Sequence, residues 1–354
     1  MILGVRAGAT RAVTRGRPGK QMKSKKNPFR GLWLALVLLA PLVRATAAPP
    51  APTADYEFAL IEFRAGAFEQ ARATLEEALR ISPRNAAAQM LLARCYYELR
   101  DYKAAVAHAQ AAVKAEPDNA QDHLWLGRML GREADQEHSA TLALKTRKEF
   151  KKAVSLDPRN VEARRALMEY DLQAPWILGG SKAKAREQAE SISRLNRVEG
   201  LLAQARLAEA DENTRQADSD YQAVMQAKPR RVGPYFEAAE FYVAQQNKAG
   251  LEQAIDGATS VAGNDPRLNF YRGVEEVLAG RLPATAERNL ENYLAQRSFP
   301  NSFPSRAEAM SWLGRLYERT GKTQLAIRQY LAALQLDPDC SLAQEALQRL
   351  GINP

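Results

Sequence analysis

The sequence predicts an all-α fold: an α-α superhelix of stacked helix-turn-helix units, closed by one carboxy-terminal capping helix. Three observations carry this. The stretch from Ala307 to Pro338 holds two amphipathic helical patterns, one on each side of Thr320-Gly321-Lys322. Leu313, Gly314 and Tyr317 form the contact face of the first, and Ala326, Tyr330 and Ala333 that of the second, with Pro338 ending the unit. The same layout recurs, since Pro83 and Pro117 lie 34 residues apart and each follows a helical pattern. Finally, Ser341 to Leu350 is a single amphipathic helix without a partner. One hairpin cannot bury its own apolar face, so the units must stack, and the lone helix covers the last exposed face.

The units follow in order. The first, Pro52 to Arg84, has Phe58 and Ala59 in its first helix, a turn at Ala65-Gly66-Ala67, and Ala71, Leu75 and Ala78 in its second. The second, Ala86 to Asn119, places Leu92, Ala93 and Tyr96 before the Asp101-Tyr102 step and Ala105 and Ala112 after it. From Pro117 to Pro158 is 41 residues, seven more than the period, which is close to two helical turns. A longer hairpin with its tip near Asp135 to Ser139 follows. In the fourth unit a helix from Val161 to Leu172 meets Ala174-Pro-Trp-Ile-Leu-Gly-Gly-Ser181. Pro175 blocks continuation, the two glycines admit unusual backbone angles, and Ser181 caps the next helix. Units five (Val198 to Arg231), six (Val232 to Gly263) and seven (Pro266 to Gln296) keep the pattern more loosely. A proline-punctuated connection, Arg297 to Pro304, leads to the eighth.

The alternation of large and small residues in this 34-residue period resembles the tetratricopeptide repeat. The resemblance implies a right-handed solenoid over residues 55–350, a non-catalytic scaffold role, and a protein or peptide partner held on the concave face. The positions that face the groove in such repeats fall here on Met90, Arg94, Tyr97 and Glu98 in the second unit. They fall on Gln121, Leu124, Arg128 and Arg132 in the third, and on Arg165 and Glu169 in the fourth. The expected partner-binding set is Arg94, Tyr97, Glu98, Leu124, Arg128, Arg132, Arg165 and Trp176. The Lys and Asn of the family's terminal-carboxylate clamp are replaced by Met90, Arg94, Leu124 and Arg128, so chaperone-tail recognition is not implied. The proline to Gly-Gly-Ser insert is similar to one in exported bacterial repeat proteins.

Charge is concentrated at the amino terminus. The whole chain carries +9, but residues 1–47 hold ten Lys or Arg and no acid, leaving about −1 for the remainder. A near-neutral mature chain gives no support for nucleic-acid binding. The basic start runs into an apolar stretch, Gly31 to Val43, and then Arg44-Ala-Thr-Ala-Ala48. That is the layout of a secretory signal cleaved after Ala47, beginning at Met1 or, as a shorter leader, at Met22. Export to the periplasm is the expectation. The alternative is an inner-membrane anchor at 31–43, although that run is shorter than a spanning helix needs. Residues 48–54 read as an extended linker and 351–354 as a tail.

No catalytic, cofactor or metal constellation is expected. His108, His123 and His138 are scattered, and there is no HExxH, no CxxC and no phosphate loop. Cys95 and Cys340 belong to distant units, so a disulfide between them is not expected. Arginines on a concave wall bind carboxylates; the bland reading is that they pair with glutamates of the same chain. Trp176, Ile177 and Leu178 are expected to pack over a neighbouring hairpin. The run Lys145, Arg147, Lys148, Lys151 and Lys152 reads as a solvated helix face, with an acidic partner or lipid surface as the lesser reading. The alternative to a protein adaptor is a binder of a small or polymeric envelope ligand such as a glycan, with a pocket walled by Trp125 and Trp176. The sequence leaves the oligomeric state open.

Overall fold

The structure is a computed structural model that describes residues 54–352. The signal at 1–47, the anchor reading at 31–43 and all but the last residue of the linker lie outside the described residues. Seventeen α-helices and one 3-10 turn occur among the described residues, without a strand. They pair in sequence. The hairpins are α1 (Ala54–Arg64) with α2 (Phe68–Ile81), α3 (Ala86–Glu98) with α4 (Tyr102–Ala115), and α5 (Ala120–Glu137) with α6 (Ala140–Leu156). Next, α7 (Val161–Gln173) joins α8 (Lys182–Leu195) through the turn Trp176–Leu178, and α9 (Arg197–Ala210) pairs with α10 (Thr214–Gln226). Then α11 (Gly233–Ala244) pairs with α12 (Lys248–Ala262), α13 (Arg267–Ala279) with α14 (Pro283–Leu294), and α15 (Arg306–Arg319) with α16 (Thr323–Leu336). The closing helix α17 (Ser341–Arg349) stands alone. Cys95 and Cys340 are both buried and free.

Local chemistry sets the boundaries. Asn85, Asp101, Asn119, Ser139, Asn160, Ser181, Asn196, Asn213, Asn247 and Ser305 each accept a hydrogen bond from a main-chain N–H of the first helical turn. Each such cap stabilises its helix by about 1 kcal/mol. Every hairpin turns through a residue with positive φ. Glycine fills this place in four units (Gly66, Gly179, Gly280, Gly321), whereas Arg100, His138, Glu212 and Gln246 fill it in the others. A left-handed non-glycine residue costs about 1–2 kcal/mol, so stacking of the flanking helices must hold those four turns. The third hairpin is the long one, its helices running 18 and 17 residues and turning at His138.

Within each hairpin a small residue meets a ring or a branched chain. A Cβ on Gly127 would come within 2.5 Å of the Phe150 ring, one on Gly314 within 2.7 Å of Tyr330, and one on Gly273 within 2.7 Å of Leu290. Tyr221, Tyr242, Tyr271, Tyr293 and Tyr330 are the largest fully buried side chains, and they serve as the wedges between neighbouring helices. Their hydroxyls have polar partners: Tyr330 donates to Glu318 (3.0 Å), Tyr293 to the Pro304 carbonyl (2.6 Å), and Tyr242 accepts from the Gln222 side-chain amide (3.0 Å). From Leu202 to Leu347 the core is continuous and includes α17, while the first four units bury four smaller clusters.

The superhelix returns on itself. The connection between α14 and α15 reaches the second unit, where the main-chain N–H of Asn301 donates to the Glu98 carboxylate and its side-chain amide to the Tyr97 carbonyl, both at 2.8 Å. Ser298 packs against Gly66 in the first turn.

The helix contact at Gly314 makes a direct prediction. Gly314→Val drives a branched side chain into the Tyr330 ring and lowers the unfolding free energy by about 1–3 kcal/mol, read from the urea midpoint. The same change at Gly321, which has open space around it, acts only through its positive φ.

Candidate functional site

The concave face is built from the first helices of successive units. Four side chains from α1, α3 and α5 stack along it. The Arg94 guanidinium lies 4.7 Å from the Phe63 ring centroid and 4.7 Å from that of Trp125, and Arg128 covers Trp125 at 4.9 Å. Ring, cation, ring, cation is a mutually stabilising order, because each guanidinium lies over a negative π face. Arg94 has no hydrogen bond or ion pair among the described residues, and its buried Nε is without a partner. Burial holds its guanidinium below the ordinary value against the attraction of Glu98.

The other arginines differ. Arg128 donates to Glu162 at 2.9 Å. Arg165 donates to Glu199 (3.1 Å) and in bidentate fashion to Glu237 (3.0 and 2.7 Å). Burial alone would lower Arg165; the three surrounding carboxylates, Glu237, Glu199 and Glu169, hold it well above the usual range. Both Arg128–Glu162 and Arg165–Glu199 join residues one period apart, 34 positions, on adjacent first helices. The bond to Glu237 is of another kind, since it crosses 72 residues from α7 to α11 and braces the concavity.

A cavity of about 880 Å³ opens between these elements, lined among others by Tyr97, Arg128, Arg132, Arg165, Glu169 and Tyr170. Deeper along the wall a second space of about 390 Å³ holds Glu169, Glu209, Glu237 and Glu240 against only Arg165 and Arg206. This floor is acidic. Arg206 spans Glu169 and Glu209, both at 3.3 Å, and Tyr221 donates to Glu209 at 2.6 Å.

The expected partner residues sort as follows. Arg94, Arg128 and Arg165 share the concave wall. Tyr97 lies there too, edge-on to Tyr102 and Trp125. Arg132 sits over the Tyr102 ring and donates to its hydroxyl at 3.4 Å. Glu98 is occupied by Asn301. Leu124 is fully enclosed between Phe150 and Leu167, so it belongs to the core; Trp125, the next residue, takes the groove position. Trp176 is 84% exposed and does not line the cavity, although its neighbours Pro175 and Leu178 do. The expected packing of Trp176 and Ile177 over a hairpin is therefore corrected. Leu178 alone turns inward, where its carbonyl accepts from Tyr170 at 3.0 Å. Neither Trp125 nor Trp176 lines the described cavity, and two guanidinium groups lie over the Trp125 ring. Of the histidines, His108 is bonded to Gln89 (2.7 Å) and His123 to Glu149 (2.6 Å).

Sequence reasoning missed Phe63, Glu199, Glu237, Glu240 and Asn301. The one-period spacing of Arg165 and Glu199 was readable. The contacts of Glu237 and Asn301, which depend on the superhelical path, were not.

One consequence is measurable. Burial, and after it Glu237, push the Glu240 carboxyl up to about 7. The unfolded chain has this group near ~4.3. Stability from the protonated form is thus complete below that value and is lost as pH rises through about 7. Groove water reaches Glu240 and screens part of the effect. A carboxyl-carbon NMR titration is expected to find the raised midpoint, Glu237→Gln to lower it, and Glu240→Gln to flatten the fall in urea midpoint over this range.

Two family models for the tetratricopeptide repeat match the chain, at residues 62–124 and 271–339. Among solved structures the chain is similar to a tetratricopeptide repeat protein from Parabacteroides merdae, at 16% identity and a TM-score of 0.50, covering 74% of this chain and 97% of that one. It is also similar to a monomeric mutant of IFIT1 (a human protein) with Gppp-AAAA, at 16% identity and a TM-score of 0.54, covering 84% of this chain and 71% of that one. No curated protein matches. At such identities the structural likeness is one of fold. Stacked repeats of this type present extended concave surfaces and serve as scaffolds for protein–protein interaction. With family-model matches at 62–124 and 271–339 and eight hairpins with a closing helix among the described residues, the chain carries tetratricopeptide repeats within an all-α superhelical array.

Proposed function

We propose that this protein is an exported, non-catalytic adaptor of the cell envelope whose concave face binds an extended, carboxylate-bearing segment of a partner protein. Arg94 carries the reading. A partly buried guanidinium normally has an acid beside it, since an unpaired buried charge is costly. Arg94 is held between two rings and makes no direct ion pair among the described residues; the Glu98 carboxylate attracts it without bonding to it. Its orientation is set before any ligand arrives, which reduces the ordering cost of binding. A carboxylate entering the groove gains charge-assisted hydrogen bonds without breaking an existing pair. Arg128, which also lies over the Trp125 ring, offers a second contact by exchanging a half-exposed Glu162.

The basic, apolar and small-residue succession over residues 1–47 supports export and an envelope setting. The acidic floor around Glu209, Glu237 and Glu240 argues against a polyphosphate ligand of the kind seen with IFIT1. Arg94 and Arg128 both lie over the Trp125 ring and compete with a sugar for it, which argues against a glycan.

The test is affinity capture from envelope extracts by the tagged full chain and by Arg94→Gln/Arg128→Gln. The double variant is expected to lose its partner, with at least a tenfold weaker Kd, since a hydrogen bond to a charged group contributes about 1.5–3 kcal/mol. Unchanged capture of every partner sinks the groove assignment. The mass of the amino terminus of protein recovered from cells tests export separately: a start at Ala48 is expected.

A further inference from the structure

The insert between α7 and α8 is a rigid mount for two exposed apolar side chains. Trp176 is 84% and Ile177 66% exposed. Large apolar residues left in water at the end of a mobile loop would fold back; these are held out. The Ser181 N–H donates to the Asp171 carbonyl (2.7 Å), the Gly180 N–H to the Pro175 carbonyl (3.2 Å), and the Tyr170 hydroxyl to the Leu178 carbonyl (3.0 Å). The Asp171 side chain, 2% exposed, accepts from Arg147 Nε at 2.9 Å. Gly180 leaves no room for a side chain, as its Cβ would lie 1.8 Å from the Ala174 carbonyl oxygen. The turn therefore has two faces. Pro175 and Leu178 close the groove, while Trp176 and Ile177 point away from it as a convex tip.

The surroundings of the tip are basic. Arg147 packs against Gly179, which puts the middle of α6 beside the turn. On the side of α6 that carries Arg147 lie Leu144, Lys148 and Lys151, all exposed. Lys184 is exposed in the first turn of α8, directly after the insert. Lys148, Lys151 and Lys184 form no ion pair among the described residues. The one acid of α6, Glu149, is turned to His123 at 2.6 Å. This local excess of positive charge stands out in a chain that is near neutral beyond residue 47.

We propose that the Trp176–Ile177 tip and the lysines beside it dock on an anionic lipid surface. The two apolar side chains enter the headgroup boundary, and Lys148, Lys151 and Lys184 meet the anionic headgroups. Trp is favoured at that boundary because it has a large apolar body and a polar N–H. Each lysine near an anionic surface adds attraction that salt screens. A protein partner would need a pocket shaped to a convex knob and an acidic rim around it. A bilayer surface accepts any small convex apolar tip and supplies the negative charge. No helix among the described residues is long and apolar enough to cross a membrane, so the contact is with the surface alone.

Ile177→Cys in the full chain, labelled with the environment-sensitive fluorophore NBD, reports on the tip itself whatever residues 1–47 do. Labelling is selective because Cys95 and Cys340 are buried. Phosphatidylcholine vesicles containing phosphatidylglycerol are expected to brighten the label, and phosphatidylcholine alone is not. The response should fall with added salt and drop by about tenfold or more when Lys148→Glu and Lys151→Glu are added. A label at Glu345→Cys, on the closing helix, should not respond. Circular dichroism melts confirm that each variant is folded, and the charge reversals fall on solvent-exposed positions. The proposal is overturned by an absent response, by equal brightening on neutral vesicles, or by brightening at Glu345→Cys as well. It is overturned too if raising the protein concentration alone brightens the label, which would mean contact with a second copy. Brightening by soluble poly-glutamate but not by vesicles would assign the tip to an acidic polypeptide instead.

Discussion

Each unit depends on two helices coming close enough for one side chain to fill the gap between them. Gly127 against Phe150, Gly273 against Leu290 and Gly314 against Tyr330 are versions of that contact, with side-chain atoms of the partner helix where a Cβ would otherwise crowd them. Everything else follows from this spacing. Helices at this separation must be joined by a tight turn, and the turn needs a residue with positive φ in every hairpin. Stacking energy supplies what the non-glycine turns at Arg100, His138, Glu212 and Gln246 lack. The groove is in turn the inner surface of helices whose other faces are committed to this packing.

How much of this the sequence shows depends on the range of the contact. The eight hairpins and the cap were legible because each is a local pattern of large and small residues. Turns with glycine were legible, and Gly66, Gly280 and Gly321 mark them. The other turns carry no local signal, since Glu212 or Gln246 takes a left-handed conformation only because flanking helices demand it. Leu124 was misplaced because the groove positions were counted in a fixed phase, and one step along the helix exchanges a core side chain for the groove-facing Trp125. The exposed Trp176 could not be foreseen from its apolarity. Its direction is set by the Asp171 and Tyr170 hydrogen bonds behind it.

The longest contacts were beyond sequence reasoning for a different cause. Small rotations between units add up along the array, and only their sum decides which distant surfaces meet. Asn301 reaches Glu98 and Tyr97 after 203 and 204 residues. Arg165 reaches Glu237 after 72. These two ties act on the same object, the width of the concavity. One fastens the connection before the eighth unit to the second, and the other crosses the middle. An open groove able to take any segment is therefore not what this array presents. Its inner wall is already braced, and Glu98, a groove position in the plain repeat, is used up in the closure.

That bracing sharpens the meaning of Arg94. In a wall where Arg128, Arg165 and Arg206 each have acids of the same chain, the general expectation that surface charges pair internally is met. Arg94 departs from it while being the most enclosed by aromatic faces. If its role were only structural, an apolar side chain between Phe63 and Trp125 would fill the space without the desolvation cost of a cation. A guanidinium kept there without a direct ion pair among the described residues, and only attracted by Glu98, fits the proposed role as half of an ion pair whose other half arrives with the ligand. The irregular middle of the array and its clean amino-terminal units then divide the work. In the proposed function the second and third units provide the recognition, while the insert after α7 lines the cavity with Pro175 and Leu178 and turns Trp176 and Ile177 to solvent.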